Sequence, residues 1–188
     1  MNIFERVKNI LFSPKEEWEV IKEESYEISE LYKKYVLILA AIPAVAGYLG
    51  NLIFGVSVNV SSVSLPLGAN IKWVFVIYIA AIIGVTLIAY IIDIMAPYFG
   101  ASKDLLESFK IAVYASTASW VGGIIHIVPA LSGLVFLASI YSFVLLYLGL
   151  ERLKNVPKDK MIGYFVVVVL WAIVVSAVTG TIVTTITV

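Results

Sequence analysis

The chain has 188 residues, 61% apolar and only 14% charged, with 13 basic and 13 acidic side chains in balance. Soluble domains carry about 25% charged residues, and the few here are confined to short stretches; this excludes a soluble enzyme, a nucleic-acid-binding domain and a disordered chain. There is no cysteine, so disulfides, thiolate metal sites and lipidation through sulfur are excluded too.

The first 34 residues hold much of the charge. Ile3, Phe4, Val7, Ile10 and Leu11 recur at helical spacing, with Glu5, Arg6, Lys8 and Asn9 between them. This predicts an amphipathic helix lying in the inner headgroup layer. Ser13-Pro14-Lys15-Glu16 breaks it and starts a second helix, with Ser13 as cap, Pro14 in the first turn and Glu16 completing a capping box. Trp18 and Ile21 give that helix its apolar face. Ser13, Pro14, Trp18 and Ile21 are therefore candidates for docking a cytosolic partner, against the alternative that the helices pack on the membrane domain.

From residue 35 onward the chain reads as a membrane domain. No formal charge occurs from Tyr35 to Ile71, from Trp73 to Ile92 or from Met161 to Val188. Between Ile111 and Leu150 only His126 titrates, tyrosines aside. A hydrocarbon core of about 30 Å takes about 20 helical residues, so we expect five spans, near 35–56, 73–96, 111–129, 131–150 and 162–183. The expected fold is all-α: a five-helix polytopic bundle behind a cytoplasmic segment, residues 1–34. Pro129 to Gly133 must make the turn between the third and fourth spans. In the loop after the first span, Val56, Val58 and Val60 alternate with Ser57, Asn59 and Ser61, a pattern for a short hairpin that contains a formal glycosylation triplet.

Orientation follows from the basic residues, which gather in cytoplasmic loops. Five spans put 12 of the 13 on one side, Lys72 alone lying on the other. The expected topology has the N-terminus in the cytoplasm and the C-terminus outside the cell membrane. Tyr32, Tyr35, Tyr98, Tyr114, Tyr147 and Tyr164 fall near the expected cytoplasmic helix ends, where amphipathic rings favour the interface. Helices in lipid associate through small residues. Ala115, Ser119 and Gly123 make one such stripe, and Ala172, Ser176 and Gly180 another, for packing within the bundle or between copies in a homo-oligomer.

Ionisable groups inside spans are functional candidates by default, and there are two, Asp93 and His126. Asp93 lies near the cytoplasmic end of its span and His126 near the outer end of the third, too far apart in depth for a proton relay. Ser119 and His126 are seven residues apart, about 10 Å along a helix, which is too far for a nucleophile–base pair. No zinc motif and no second intramembrane acid is present. These residues predict no catalytic group, no cofactor and no metal.

Several landmarks together resemble the Yip (Ypt-interacting protein) domain family in its prokaryotic form. They are Ile10-Leu11-Phe12-Ser13-Pro14 followed by Trp18, then Tyr98-Phe99-Gly100 with Ser108-Phe109, then Tyr114 and Ile127-Val128-Pro129. Tyr147-Leu148-Gly149-Leu150, Val156-Pro157 and Lys160 complete the order. The resemblance implies a polytopic, non-enzymatic membrane protein. Eukaryotic relatives act in vesicle trafficking and associate with prenylated small GTPases and with one another. Their Asp-Leu-Tyr-Gly-Pro motif has no counterpart here, so GTPase binding is not carried over. The expected function is a scaffold organising membrane lipids or partner proteins from the cytoplasmic face. The alternative is a small transporter or channel, which requires a polar cavity near Asp93 or between the third and fifth spans.

Overall fold

The computed structural model describes residues 2–54, 56–58, 61–63 and 67–187, with side chains described for 2–54 and 71–186. Two short helices open the chain, α1 (Ile3–Phe12) and α2 (Pro14–Glu23). Asn2 caps α1, its side chain accepting from the Phe4 amide at 3.1 Å. Pro14 occupies the first turn of α2 as predicted, and Ser13 stands at the cap position without making a side-chain cap bond.

Next comes a long apolar helix, α3 (Ile28–Phe54), with a π-helical stretch at Tyr32–Val36. A two-stranded antiparallel hairpin follows, β1 (Val56–Val58) with β2 (Ser61–Val63), in the register Val56 to Val63. The glycosylation triplet centres on Asn59 and Val60, outside the described residues. The rest is helical: α4 (Leu67–Met95), α5 (Leu105–Ala115), α6 (Thr117–Gly122), α7 (Val135–Leu153) and α8 (Lys158–Thr187). Turns of 3-10 helix close α4 (Ala96–Phe99) and link α6 to α7 (Gly123–Ile127 and Pro129–Leu134).

Among the described residues four helices, not the expected five, are long and apolar enough to cross a membrane: Ile28–Phe54, Ile71–Phe99, Pro129–Leu153 and Lys158–Ile186. The third expected span, 111–129, is no single helix. It is α5, α6 and a 3-10 segment, broken first at Ser116, whose hydroxyl turns back to the Ala112 carbonyl at 2.8 Å. Gly122 and Gly123 then tighten it, because both lie flat against neighbours: a Cβ on Gly123 would stand 2.6 Å from that of Pro43.

This broken segment is the core of the bundle. Every residue from Ser108 to Ala115 is buried, and a helix buried on all sides needs no lipid-facing stripe. It climbs parallel to α3, as four contacts in sequence show. Tyr26 meets Tyr114, Tyr35 meets Thr117, Pro43 meets Gly123, and Gly50 meets the backbone of His126. The last approach is so close that a Cβ on Gly50 would lie 2.4 Å from the His126 carbonyl oxygen. Around this strut, α4, α7 and α8 turn bare apolar side chains outward, such as Phe75, Phe136 and Ile162 at 61–68% exposure. Exposed apolar surface of that extent marks a lipid-facing belt.

Candidate functional site

The arm formed by α1 and α2 is locked to the bundle. Ile3, Val7, Ile10 and Leu11 turn towards it and not into the headgroup layer predicted for them, with Ile10 wholly buried. Arg6 falls on that same face and is buried with them. Its guanidinium forks to Glu17 on α2 and to Glu24 just beyond it, and sits 5.5 Å from the centre of the Tyr114 ring. The two carboxylates and the ring together hold its charge, which lone burial would disfavour. Trp18 and Ile21 are wholly buried too. The Trp18 ring lies on the bare backbone of Gly149 and meets Tyr114 edge-on at 6.2 Å. These two residues therefore fasten the arm and offer no surface to a partner. Of the four docking candidates only Ser13 and Pro14, at the corner between the helices, reach the outside.

Phe4 departs from the face predicted for it. It points outward at 83% exposure, and Phe12, two turns on, at 81%. Lys8 lies between them and is also exposed. The far end of this ridge touches the lipid-facing belt, because the Tyr141 hydroxyl of α7 donates to the Leu11 carbonyl at 2.7 Å. Leu137, Ile140 and Val144 of α7 are bare beside it.

At the junction of the arm with α3 and α5, Tyr26 and Tyr114 share a hydrogen bond of 2.9 Å between hydroxyls. Burial pushes the Tyr26 hydroxyl up to about 12, so it stays neutral at physiological pH. The Lys110 ammonium donates to the Ile21 and Glu24 carbonyls and sits 5.1 Å from the centre of the Tyr26 ring. A cavity of about 260 Å³ opens here, lined by Glu24, Tyr26, Glu30, Lys34 and Tyr114 among others. Most of these groups carry no motif in the sequence. Arg6 does carry a signal: a charge three residues from Ile3 and four from Ile10 must lie on the buried face.

Asp93 and His126 are at opposite ends, as expected. Asp93 is buried, 3.4 Å from the Ser108 hydroxyl and 3.8 Å from the ammonium of Lys154, a partner that the sequence did not suggest. His126 lines a small cavity at the far end with Asn51, Trp73 and Ser132. The small-residue stripes divide in the same way. Ala115 and Gly123 pack tightly. Ser119 bonds to Ser142 of α7, its amide donating at 3.0 Å. Of the stripe on α8, Ala172 is buried but Ser176 and Gly180 are exposed, and nothing lies within 4 Å of a Cβ built on Gly180.

The upper half of α8 stands away from α6 and leaves a groove. On the α7 side it measures about 680 Å³ and includes Ser116, Ser119, Ser139, Ser142 and Ser176 in its wall. A second groove of about 380 Å³, on the α4 side, shares Ser116, Ser119 and Ser176. Each hydroxyl donates within the protein, for example Ser176 to Ala172 at 2.8 Å and Ser139 to Val135 at 3.2 Å. No group of three His, Cys, Asp or Glu side chains that would hold a metal occurs among the described residues.

Long apolar helices, a lipid-facing belt and a buried polar strut define a multi-pass integral membrane protein. Within that class the chain belongs to the Yip1 family: the Yip1 domain matches residues 8–180. It is similar to the inner membrane protein YohC of Escherichia coli K12, with 29% identity over 161 residues covering 82% of each chain. It matches YohC of E. coli O6:H1 to the same extent. No solved structure matches it.

Proposed function

We propose that this protein is a non-catalytic membrane organiser that works from the cytoplasmic face through its N-terminal arm. The observation carrying this reading is the Phe4–Lys8–Phe12 ridge, bare on a helix that buried anchors hold rigidly against the bundle. Two phenylalanines at lipid depth, with a lysine between them at phosphate level, form a wedge in one leaflet. The family and the inner-membrane relative support a role within the membrane. In this reading the broken strut makes a fifth pass beside α3, so residues 1–34 face the cytoplasm and the C-terminus lies outside; a C-terminal reporter active in the cytoplasm would overturn that orientation. Partner proteins, or a second copy, would meet the same face.

Burying each phenylalanine in lipid is worth about 1.5–3 kcal/mol. Reconstituted protein is expected to favour small vesicles over large ones several-fold. Phe4→Ser/Phe12→Ser should lose that preference while melting at the same temperature in detergent. Equal partitioning of both proteins would count against the wedge.

The groove, with five serines in a mostly apolar wall, supports a second reading, a small transporter. In this cysteine-free chain, Ser119→Cys gives a clean probe. A water-soluble maleimide should label it if the groove is a solute path. Protection in the membrane, with labelling restored in denaturant, would leave the organiser reading alone.

A further inference from the structure

We propose that the cavity between the arm and the foot of α3 binds the head group of an ethanolamine phospholipid, a primary ammonium joined to a phosphodiester. Its depth is right for a head group. Lys33 and Lys34 are the last charges before the uncharged stretch that begins at Tyr35, and the cavity is lined from Glu24 to Lys34 and by Tyr114. Its size is right as well. At about 260 Å³ it falls below the roughly 300–1,000 Å³ of sites that enclose a whole drug-sized ligand, so it takes the head and leaves the tails outside.

The chemistry narrows the class further. Glu24 gives one carboxylate oxygen to Arg6, and its other, Oε2, is buried with no hydrogen-bond partner among the described residues. A buried acceptor left unpaired costs about 1–3 kcal/mol, and an ammonium brings the missing donor. Tyr26, half-buried in the cavity wall, adds a ring face, which attracts cations. The Tyr26 ring already sits beside one ammonium, that of Lys110.

At the rim, Glu30 and Lys34 hold each other at 2.8 Å, both substantially exposed. Surface pairs of this kind are worth about 0–1 kcal/mol, so the two part at little cost. Lys34 is then free for the phosphate, and Glu30 for the ammonium beside Glu24.

Charge balance separates the lipid classes. The carboxylates lining the cavity are each paired, Glu24 with Arg6 and Glu30 with Lys34, so the lining presents both signs in balance. A neutral, two-signed site suits a zwitterion and gives an anionic glycerol head group no advantage. A choline head group is zwitterionic but has no N–H to offer Glu24.

The test uses the full chain in detergent, with lipid adducts counted by native mass spectrometry. The probes are phosphatidylethanolamine, phosphatidylcholine and phosphatidylglycerol with identical tails. Phosphatidylethanolamine is expected to be retained about tenfold over the other two, a difference of about 1.4 kcal/mol. Glu30→Gln and Lys34→Met, both at the exposed rim, should each reduce that preference several-fold without moving the melting temperature. Glu24→Gln should abolish it, and the rim variants keep the test decisive where Glu24→Gln misfolds. Equal retention of the three lipids, or an unchanged preference in both rim variants, overturns the assignment. Free O-phosphoethanolamine at millimolar concentration should compete weakly; competition as strong as the lipid's would make the ligand a soluble amine and overturn the lipid assignment. Phe4→Ser/Phe12→Ser should leave the preference intact, so failure here is distinguishable from failure of the wedge.

Discussion

Trp18→Ala is expected to destabilise the protein by about 3–5 kcal/mol, the usual range for truncating a buried tryptophan, and to release the arm from the bundle. The ring is wholly buried, and its far edge rests where any Cβ on residue 149 would be, 2.8 Å away. Arg6 stacks on the same Tyr114 that Trp18 meets edge-on, so losing the indole also loosens the seat of the buried ion pairs. Limited proteolysis in detergent should then cut within α2, at Lys15 or Lys22, sites that the docked arm protects. Gly149→Ala attacks the same contact from the other side, and overpacking of this kind costs about 1–3 kcal/mol. The two residues touch, so the double variant should cost less than the sum of the singles. A Trp18→Ala protein with wild-type melting and an uncut arm would mean that the arm is held by something other than this contact.

That expectation differs from what the sequence alone suggests, and the difference is physical. An amphipathic pattern shows which face of a helix is apolar, but not what covers it. Trp18 and Ile21 satisfy the pattern equally well as a docking face and as an anchor, and only the bare backbone of Gly149 decides for the anchor. Charge-free stretches, by contrast, are a global signal, and the long helices α3, α4, α7 and α8 lie where those stretches place them. The same signal overcounts at 111–129, because hydropathy cannot separate a helix bathed in lipid from one buried in protein. Glu107 and Lys110 just ahead of that stretch, and Gly122-Gly123 within it, are the local hints of a broken interior strut.

Tyrosines mislead for a similar reason. Tyr35, Tyr114 and Tyr164 are wholly buried, with hydroxyls bonded to Thr117, Tyr26 and the Ile92 carbonyl respectively. Tyr98, at 75% exposure, remains as a bare ring at the end of α4. Buried phenols need partners, and those partners come from distant parts of the chain, which a linear reading does not bring together. The sites that escape the sequence, the Arg6 fork and the Lys154 staple, are of this long-range kind.

Lys154→Met is expected to be the most damaging change where the loop after α4 meets the end of α7. Lys154 is fully buried, and its ammonium donates to the Ser102 carbonyl at 3.2 Å and the Asp104 carbonyl at 2.7 Å. The Ser102 amide returns a bond to the Lys154 carbonyl at 3.2 Å, so the loop after α4 and the end of α7 are tied in both directions. Asp93, at 3.8 Å, contributes charge more than a hydrogen bond. Methionine keeps the apolar stem but removes every donor, leaving the Ser102 carbonyl and the buried Asp93 carboxylate short of partners, while the Asp104 carbonyl keeps the Ser108 amide and hydroxyl. Breaking a buried charge pair from one side costs about 3–5 kcal/mol. Asp93→Asn removes the stranded charge, so Lys154→Met/Asp93→Asn should recover part of the loss, with a coupling of about 0.5–3 kcal/mol. Burial holds Lys154 below its ordinary 10.5, so the unfolded chain binds the proton more readily than the folded one. Stability of the wild type therefore rises as pH climbs from the folded-state value towards 10.5. Melting curves from neutral to alkaline pH should show that rise in the wild type and its absence in Lys154→Met. A Lys154→Met protein that melts with the wild type at neutral pH would show that the staple is dispensable, and that Leu150, Leu153, the Trp18 contact and the Arg152–Glu19 pair suffice to hold α7 at this end.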